Sequence, residues 1–265
     1  MSAAETLDLG VTRGGDARFL QCATLSKTFD TRTGIVEALR KIELDVPLGE
    51  FVCFLGASGC GKSTLLSIIG GLETPSAGQV LLNGKAIVKP SPDLSFVFQD
   101  HGLFPWMTVE QNCAFSLKAS GMGRAARLAK AREYLALVGL QGFGTRFPHE
   151  LSGGMKQRVG IARALTTDPK LLLMDEPFGA LDAQTRANLQ QELLRIWSGR
   201  QATVLFVTHS IDEALILADR IVVFHPRPGR IRADVRVALP RPRDIHAPEF
   251  GAMARELEAL LQTPT

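Results

Sequence analysis

Apolar positions along this chain fall into two spacings, and the switch between them outlines the fold. Phe51-Val52-Cys53-Phe54-Leu55, Leu171-Leu172-Leu173-Met174, Thr203-Val204-Leu205-Phe206-Val207 and Ile221-Val222-Val223-Phe224 are short unbroken runs, the pattern of parallel strands covered on both faces. Phe19 to Phe29 reads as a first strand, and Ile42-Glu43-Leu44-Asp45-Val46 alternates like a half-buried second. Gln79–Leu82 followed by Asn83-Gly84 predicts a strand and hairpin turn, and Ser95–Phe98 a short strand.

Helical spacing fills the intervals. Leu65–Ile69 predicts a helix ending near Gly70-Gly71. Thr108-Val109-Glu110-Gln111 is a capping box, with a helix expected to run to about Gly121. From Arg124 to Val138, Leu128, Ala131, Leu135 and Val138 share a face, and Gly139 is the stop. Ser152 opens a helix through Leu165, Ala183–Trp197 carries Leu189, Leu193 and Ile196 in phase, and Ser210-Ile211-Asp212-Glu213 caps another. Pro248–Leu261 spaces Phe250, Met253, Leu257 and Leu260 as an amphipathic helix expected to pack on its own domain. The Arg- and Pro-rich stretch Pro226–Pro242 is expected to run over the surface. The order predicts an α/β core with a helical subdomain inserted between its halves.

Composition narrows the class. At 265 residues, 45% hydrophobic and 22% charged, the chain suits one large domain with a sizeable core. A net charge of +3, with scattered Lys and Arg, argues against nucleic acid as a partner. No apolar run approaches the roughly 18 residues needed to span a bilayer. Met1 to Gly15 lacks the apolar stretch of a signal peptide, so residues 1–17 are expected to form a flexible tail. Cys22, Cys53, Cys60 and Cys113 make no metal-ligand spacing and read as small apolar residues in a reducing compartment.

The chemistry centres on Gly56-Ala57-Ser58-Gly59-Cys60-Gly61-Lys62-Ser63-Thr64, set between a strand and a helix. In that context the pattern G-x-x-x-x-G-K-[ST] is a phosphate loop. Glycines let successive N–H groups face phosphate oxygens, and the helix N-terminus adds partial positive charge. Lys62 supplies a point charge for the β- and γ-phosphates, and the Ser63 hydroxyl is a ligand for Mg²⁺. Asp175-Glu176 ends a second apolar strand, where ligands bind in open parallel sheets. Asp175 is therefore expected to hold Mg²⁺, and Glu176 to orient or deprotonate an attacking water. His209, ending a further buried strand, is placed to contact a γ-phosphate.

With these residues in order, Leu151-Ser152-Gly153-Gly154-Met155-Lys156-Gln157 resembles the signature motif of the ATP-binding-cassette (ABC) ATPases. The succession of phosphate loop, Gln99, signature, Leu171–Pro177, Gly179-Ala180-Leu181-Asp182 and His209 is similar to that family over roughly residues 18–235. The resemblance implies a P-loop NTPase core of mainly parallel sheet, an antiparallel β subdomain and an inserted α-helical subdomain at about 100–165, with 236–265 as a C-terminal extension. It implies ATP and Mg²⁺ as ligands. Phe29 resembles the aromatic that stacks on adenine. Lys62, Ser63 and Thr64 resemble the phosphate and Mg²⁺ contacts, and Gln99 the glutamine joining metal and water to the transporter-facing loop. Asp175 resembles the metal-site aspartate, Glu176 the general base, His209 the switch histidine and Asp182 the aspartate that crosses the dimer interface. Ser152, Gly153 and Gly154 are implied to face nucleotide on a second copy, giving a homodimer around two ATP molecules. Phe29 stands where tyrosine is commoner, and Met155 where glutamine is.

Leu103-Phe104-Pro105-Trp106 places large apolar residues in a loop, which suggests a docking groove. In the family this region receives the membrane permease. Together with the Gly179-Ala180-Leu181-Asp182 loop and Pro226-Arg227-Pro228-Gly229-Arg230-Ile231, it resembles the importers for nitrate, sulfonate, taurine and related small anions. The expectation is a peripheral ATPase subunit on the cytoplasmic face of the membrane, working with permease subunits and, indirectly, a substrate-binding protein. The rival is a soluble ABC ATPase acting on nucleic acid or ribosomes. Against it, no sustained heptads separate Lys62 from Ser152, and one cassette is present.

Overall fold

The computed structural model describes residues 18–262 apart from 33, 101, 180, 200 and 201. The expected tail (1–17), His101 and Ala180 lie outside the described residues. The elements, in chain order, begin with β1 (Arg18–Thr31), β2 (Gly34–Pro47), β3 (Phe51–Leu55), α1 (Lys62–Ile69), β4 (Ala77–Leu82), β5 (Lys85–Ala86) and β6 (Leu94–Val97). The helical stretch follows: α2 (Val109–Ala114), α3 (Arg124–Leu137) and α4 (Gly153–Leu165). Then come β7 (Leu171–Asp175), α5 (Ala183–Ser198), β8 (Thr203–Thr208), α6 (Ile211–Leu217), β9 (Arg220–His225), β10 (Arg230–Arg236) and α7 (Pro248–Gln262).

Two sheets result. An antiparallel four-stranded sheet runs β2-β1-β4-β5, and a six-stranded sheet runs β10-β9-β3-β8-β7-β6. Within the second, β9, β3, β8, β7 and β6 are mutually parallel, while β10 pairs antiparallel with β9. The unbroken apolar strands make sense here because each separates two cores. Phe51, Cys53 and Leu55 of β3 join the cluster that includes Leu172, Met174, Val204 and Phe206. Val52 and Phe54 point to the opposite cluster, with Leu65, Leu171, Leu173 and the antiparallel sheet's Leu20 and Ile42. Residues one apart face opposite sides of a strand, so both sets must be apolar.

Two expectations need correction. The helix opened by the Thr108 capping box ends at Ala114 rather than near Gly121. Residues 115–121 tighten into bonds three residues apart, such as Lys118 N–H to Phe115 O and Ser120 N–H to Leu117 O, which form a single turn at Ser116–Lys118. Pro226–Pro242 is not all surface loop, because Arg230–Arg236 forms the edge strand β10. Its alternating Ile231, Ala233 and Val235 are partly buried against the two cores. The second strand is also longer than its alternating part, starting at Gly34.

The C-terminal helix packs on its own chain, with Phe250 and Leu257 buried beside Leu217 and Ala218. Two arginines secure the approach to it. Arg241 Nη1 donates to Asp219 Oδ1 at 2.5 Å, and its Nη2 donates to Leu217 O. Arg243 Nη1 donates to Ala218 O at 2.6 Å and to Leu215 O. Both thus satisfy carbonyls at the end of α6, where a cation is favoured. Burial pushes the Arg243 guanidinium down to about 10, which leaves it charged at neutral pH.

Candidate functional site

The C-terminal ends of neighbouring parallel strands carry the expected chemistry, as the sheet topology requires. β3 leads into the phosphate loop, β6 leads to Gln99, β7 ends at Asp175 and β8 leads to His209. Gly61 is the N-cap of α1 with φ +92. A Cβ there would sit 2.7 Å from Ala38 O, so neither the conformation nor the space admits a side chain. Lys62 is buried, and its Nζ donates to Gly56 O at 2.8 Å and Ala57 O at 2.9 Å. The buried Cys60 Sγ lies 3.5 Å from the same nitrogen.

A cavity of about 690 Å³ opens over this loop, within the range of small-molecule sites. Ser58, Gly59, Gly61, Lys62, Ser63, Thr64, Gln99 and Glu176 line it. Ser63 Oγ donates to Asp175 Oδ1 at 2.9 Å. Burial raises the Asp175 carboxyl above its usual range, against the opposing Ser63 hydrogen bond. Glu176 holds φ +43, a conformation that non-glycine residues keep only where their surroundings fix it. Its N–H donates to Val207 O at 3.1 Å, and its Oε2 lies 3.1 Å from His209 Nδ1. Glu176 and the lysine loop therefore line one cavity, with His209 held beside the acid.

Phe29 is half-buried on β1, with Lys27 Nζ 4.7 Å from its ring centroid. It pairs across the ladder with Val36, a cavity-lining residue. Ser152, Gly153, Gly154 and Asp182 do not line this cavity within one chain. Ser152 caps α4, accepting from Met155 N–H at 3.3 Å, and Asp182 caps α5, accepting from Thr185 N–H at 2.9 Å. The two helix starts are neighbours, since a Cβ on Gly154 would lie 3.0 Å from the Leu181 side chain.

Motif reasoning missed Val36, Glu37, Ala38 and Arg227, which also line the cavity. The first three come from the half of β2 that does not alternate. Arg227 sits in the stretch read as surface, where nothing in the local sequence points inward.

A glycine loop between a parallel strand and a helix, with an acid pair and a histidine at the adjacent strand ends, defines a phosphate-loop nucleotide site. Comparison with known proteins specifies it further. The family described as ABC transporter matches residues 39–179. An ABC transporter ATP-binding protein of Methanocaldococcus jannaschii is 50% identical over 243 residues, covering 92% of this chain and 91% of the relative. The nitrate import ATP-binding protein NrtD of Synechocystis sp. is 44% identical over 252 residues (92% and 95% covered). The aliphatic sulfonates import ATP-binding protein SsuB of Bacillus cereus is 46% identical over 233 residues (88% and 92%). A dimeric post-hydrolysis structure of the ATP-binding cassette MJ0796 bound to ADP and Pi superposes with a TM-score of 0.76 at 32% identity, covering 83% of this chain and all of that one. The chain belongs to the ABC transporter ATP-binding family. It binds and hydrolyses ATP, as the resemblance implied.

Proposed function

We propose that this ATPase energises import of a small anion of the nitrate, sulfonate or taurine type. Two copies would close around two ATP molecules and drive a membrane permease. The cassette spans residues 18–235, with its helical subdomain at about 100–165, and 236–265 forms an extension. The chain sits peripherally on the cytoplasmic face of the membrane; none of the described helices is long and apolar enough to cross one. A substrate-binding protein outside delivers the anion to the permease.

The geometry supports the following hydrolytic roles. Lys62 and the loop amides of 56–64 hold the phosphates. Glu176, beside His209, takes the proton of the attacking water, while His209 steadies the γ-phosphate. Ser63 and Asp175 already share a hydrogen bond, and with the Gln99 side-chain oxygen they would supply the all-oxygen donor set that suits Mg²⁺. A bound ion would supply charge neutralisation to the phosphates. Phe29 stacks on adenine. Ser152, Gly153 and Gly154 of one copy, with Asp182, complete the site of the other, a reading supported by their absence from the lining of their own chain's cavity. Hydrolysis removes the γ-phosphate contacts and lets the pair part.

The observation that carries the transport reading is an uncovered aromatic patch just beyond Gln99. Trp106 is 69% exposed, its ring 5.6 Å from Phe104, which stands 4.6 Å from Phe115. Leu103, Phe104, Pro105 and Trp106 thus offer a permease an apolar seat next to Gln99. The similarity to NrtD and SsuB supports the anion class. The test is reconstitution with permease subunits in proteoliposomes, measuring ATP-driven uptake of nitrate, alkanesulfonates and taurine. A chain that assembles with no permease, and instead copurifies with ribosomes or DNA, would defeat the reading.

A further inference from the structure

One cation at the nucleotide cavity lies outside the nucleotide-binding motifs. Arg227 lines the cavity, is exposed, and makes no ion pair or hydrogen bond among the described residues. Its Nη2 lies 4.0 Å from the position of a Cβ built on Gly59, at the tip of the phosphate loop. Its backbone holds φ +44, which a non-glycine residue keeps only where neighbouring structure fixes it.

That structure is visible. Gly229 N–H donates to Ala38 O and Gly229 O accepts from Arg40 N–H, both at 3.0 Å. A Cβ on Gly229 would meet Cys60 O at 2.3 Å, so this loop is wedged between β2 and the phosphate loop. The other charged group from β2, Glu37, is held by Arg40 Nε at 2.6 Å and leaves Arg227 uncommitted.

The location along a bound nucleotide follows from the ladder. Phe29 and Val36 pair at the base end. Ser63 and Asp175 mark the terminal phosphate end. Arg227, beside Gly59 and anchored through Gly229 to Ala38, stands between them. Resting on the ATP-site reading of this cavity, the geometry points to Arg227 as a binding residue for the α-phosphate of the nucleotide. A guanidinium suits this task, because its planar donors fit phosphate oxygens and its charge persists at any physiological pH.

The test is titration of the full chain with fluorescent mant-ATP and mant-ADP. Arg227→Asn is the first variant, since asparagine tolerates this φ. Both dissociation constants should rise about tenfold, the size of one charge-assisted hydrogen bond. Arg227→Lys should lose less and Arg227→Glu more, and raising the ionic strength should shrink the differences between variants. Unchanged affinity in Arg227→Asn, a loss confined to ATP, or Arg227→Glu no weaker than Arg227→Asn would each overturn the assignment. Wild type and Lys62→Ala keep the two readings apart. Wild type that binds neither probe refutes the cavity reading, whereas tight wild-type binding abolished by Lys62→Ala and untouched by Arg227→Asn refutes only Arg227.

Discussion

At the scale of single residues, the hydrolytic edge separates binding from chemistry. Glu176→Gln keeps the side chain's size and removes its basicity, so turnover should fall by about a hundredfold or more while ATP affinity stays near wild type. Phosphate release and nucleotide titration read the two effects separately. Asp175 has a pH signature. Its raised carboxyl binds a proton more tightly in the folded chain than in the unfolded one. Its contribution to nucleotide-free stability is therefore complete at low pH and is lost as pH rises through the raised value. Asp175→Asn should remove this component, seen as a shallower fall of melting temperature with pH, although Glu213, also raised by burial, keeps some slope. Among these residues, those tied to a loop or strand end were legible in the sequence, because chain neighbours define the strand end. Arg227 and Glu37 were not, since their place at the cavity depends on contacts between distant segments that no local pattern encodes.

At the scale of elements, legibility followed burial. Strands covered on both sides, such as β3, β7 and β8, announce themselves as unbroken apolar runs, and the structure places them where the runs lie. The edge strand β10 did not, because an edge buries little and its arginines read as loop. The helix after Thr108 was overextended because its start is written in capping residues, whereas its end at Ala114 is a gradual tightening with no stop residue before Gly121. The aromatic loop between β6 and α2 yields a prediction at this scale. Asn112 Oδ1 accepts from Phe104 N–H at 2.8 Å, and its Nδ2 donates to Phe104 O at 3.1 Å, so the backbone of this loop is held from within. Replacing Phe104 and Trp106 together with Ala should therefore leave ATPase activity of the isolated chain intact. Permease-stimulated activity and assembly should weaken, and unchanged assembly would reject the docking role.

At the scale of the whole molecule, one chain holds half of each proposed site. The Ser152 and Asp182 helix starts cluster together, away from the cavity they are proposed to complete. Glu176→Gln with ATP should therefore elute as a dimer in gel filtration and return to monomer with ADP; a persistent monomer would break the sandwich. The order of motifs made the cassette readable before any coordinates, because each lies at a strand or helix end that the topology gathers. What sequence alone left open is how the two sheets are joined.

That join has its own consequence. Leu39 and Gly229 form a single backbone bridge from the antiparallel sheet to the β9–β10 turn, directly under Cys60. The glycine tip proposed to cradle ATP is thus the keystone of a seam: filling it should tighten the rung beneath. The amide protons of Arg40 and Gly229, which form that rung, become natural gauges of occupancy, exchanging with solvent more slowly whenever ligand holds the seam shut.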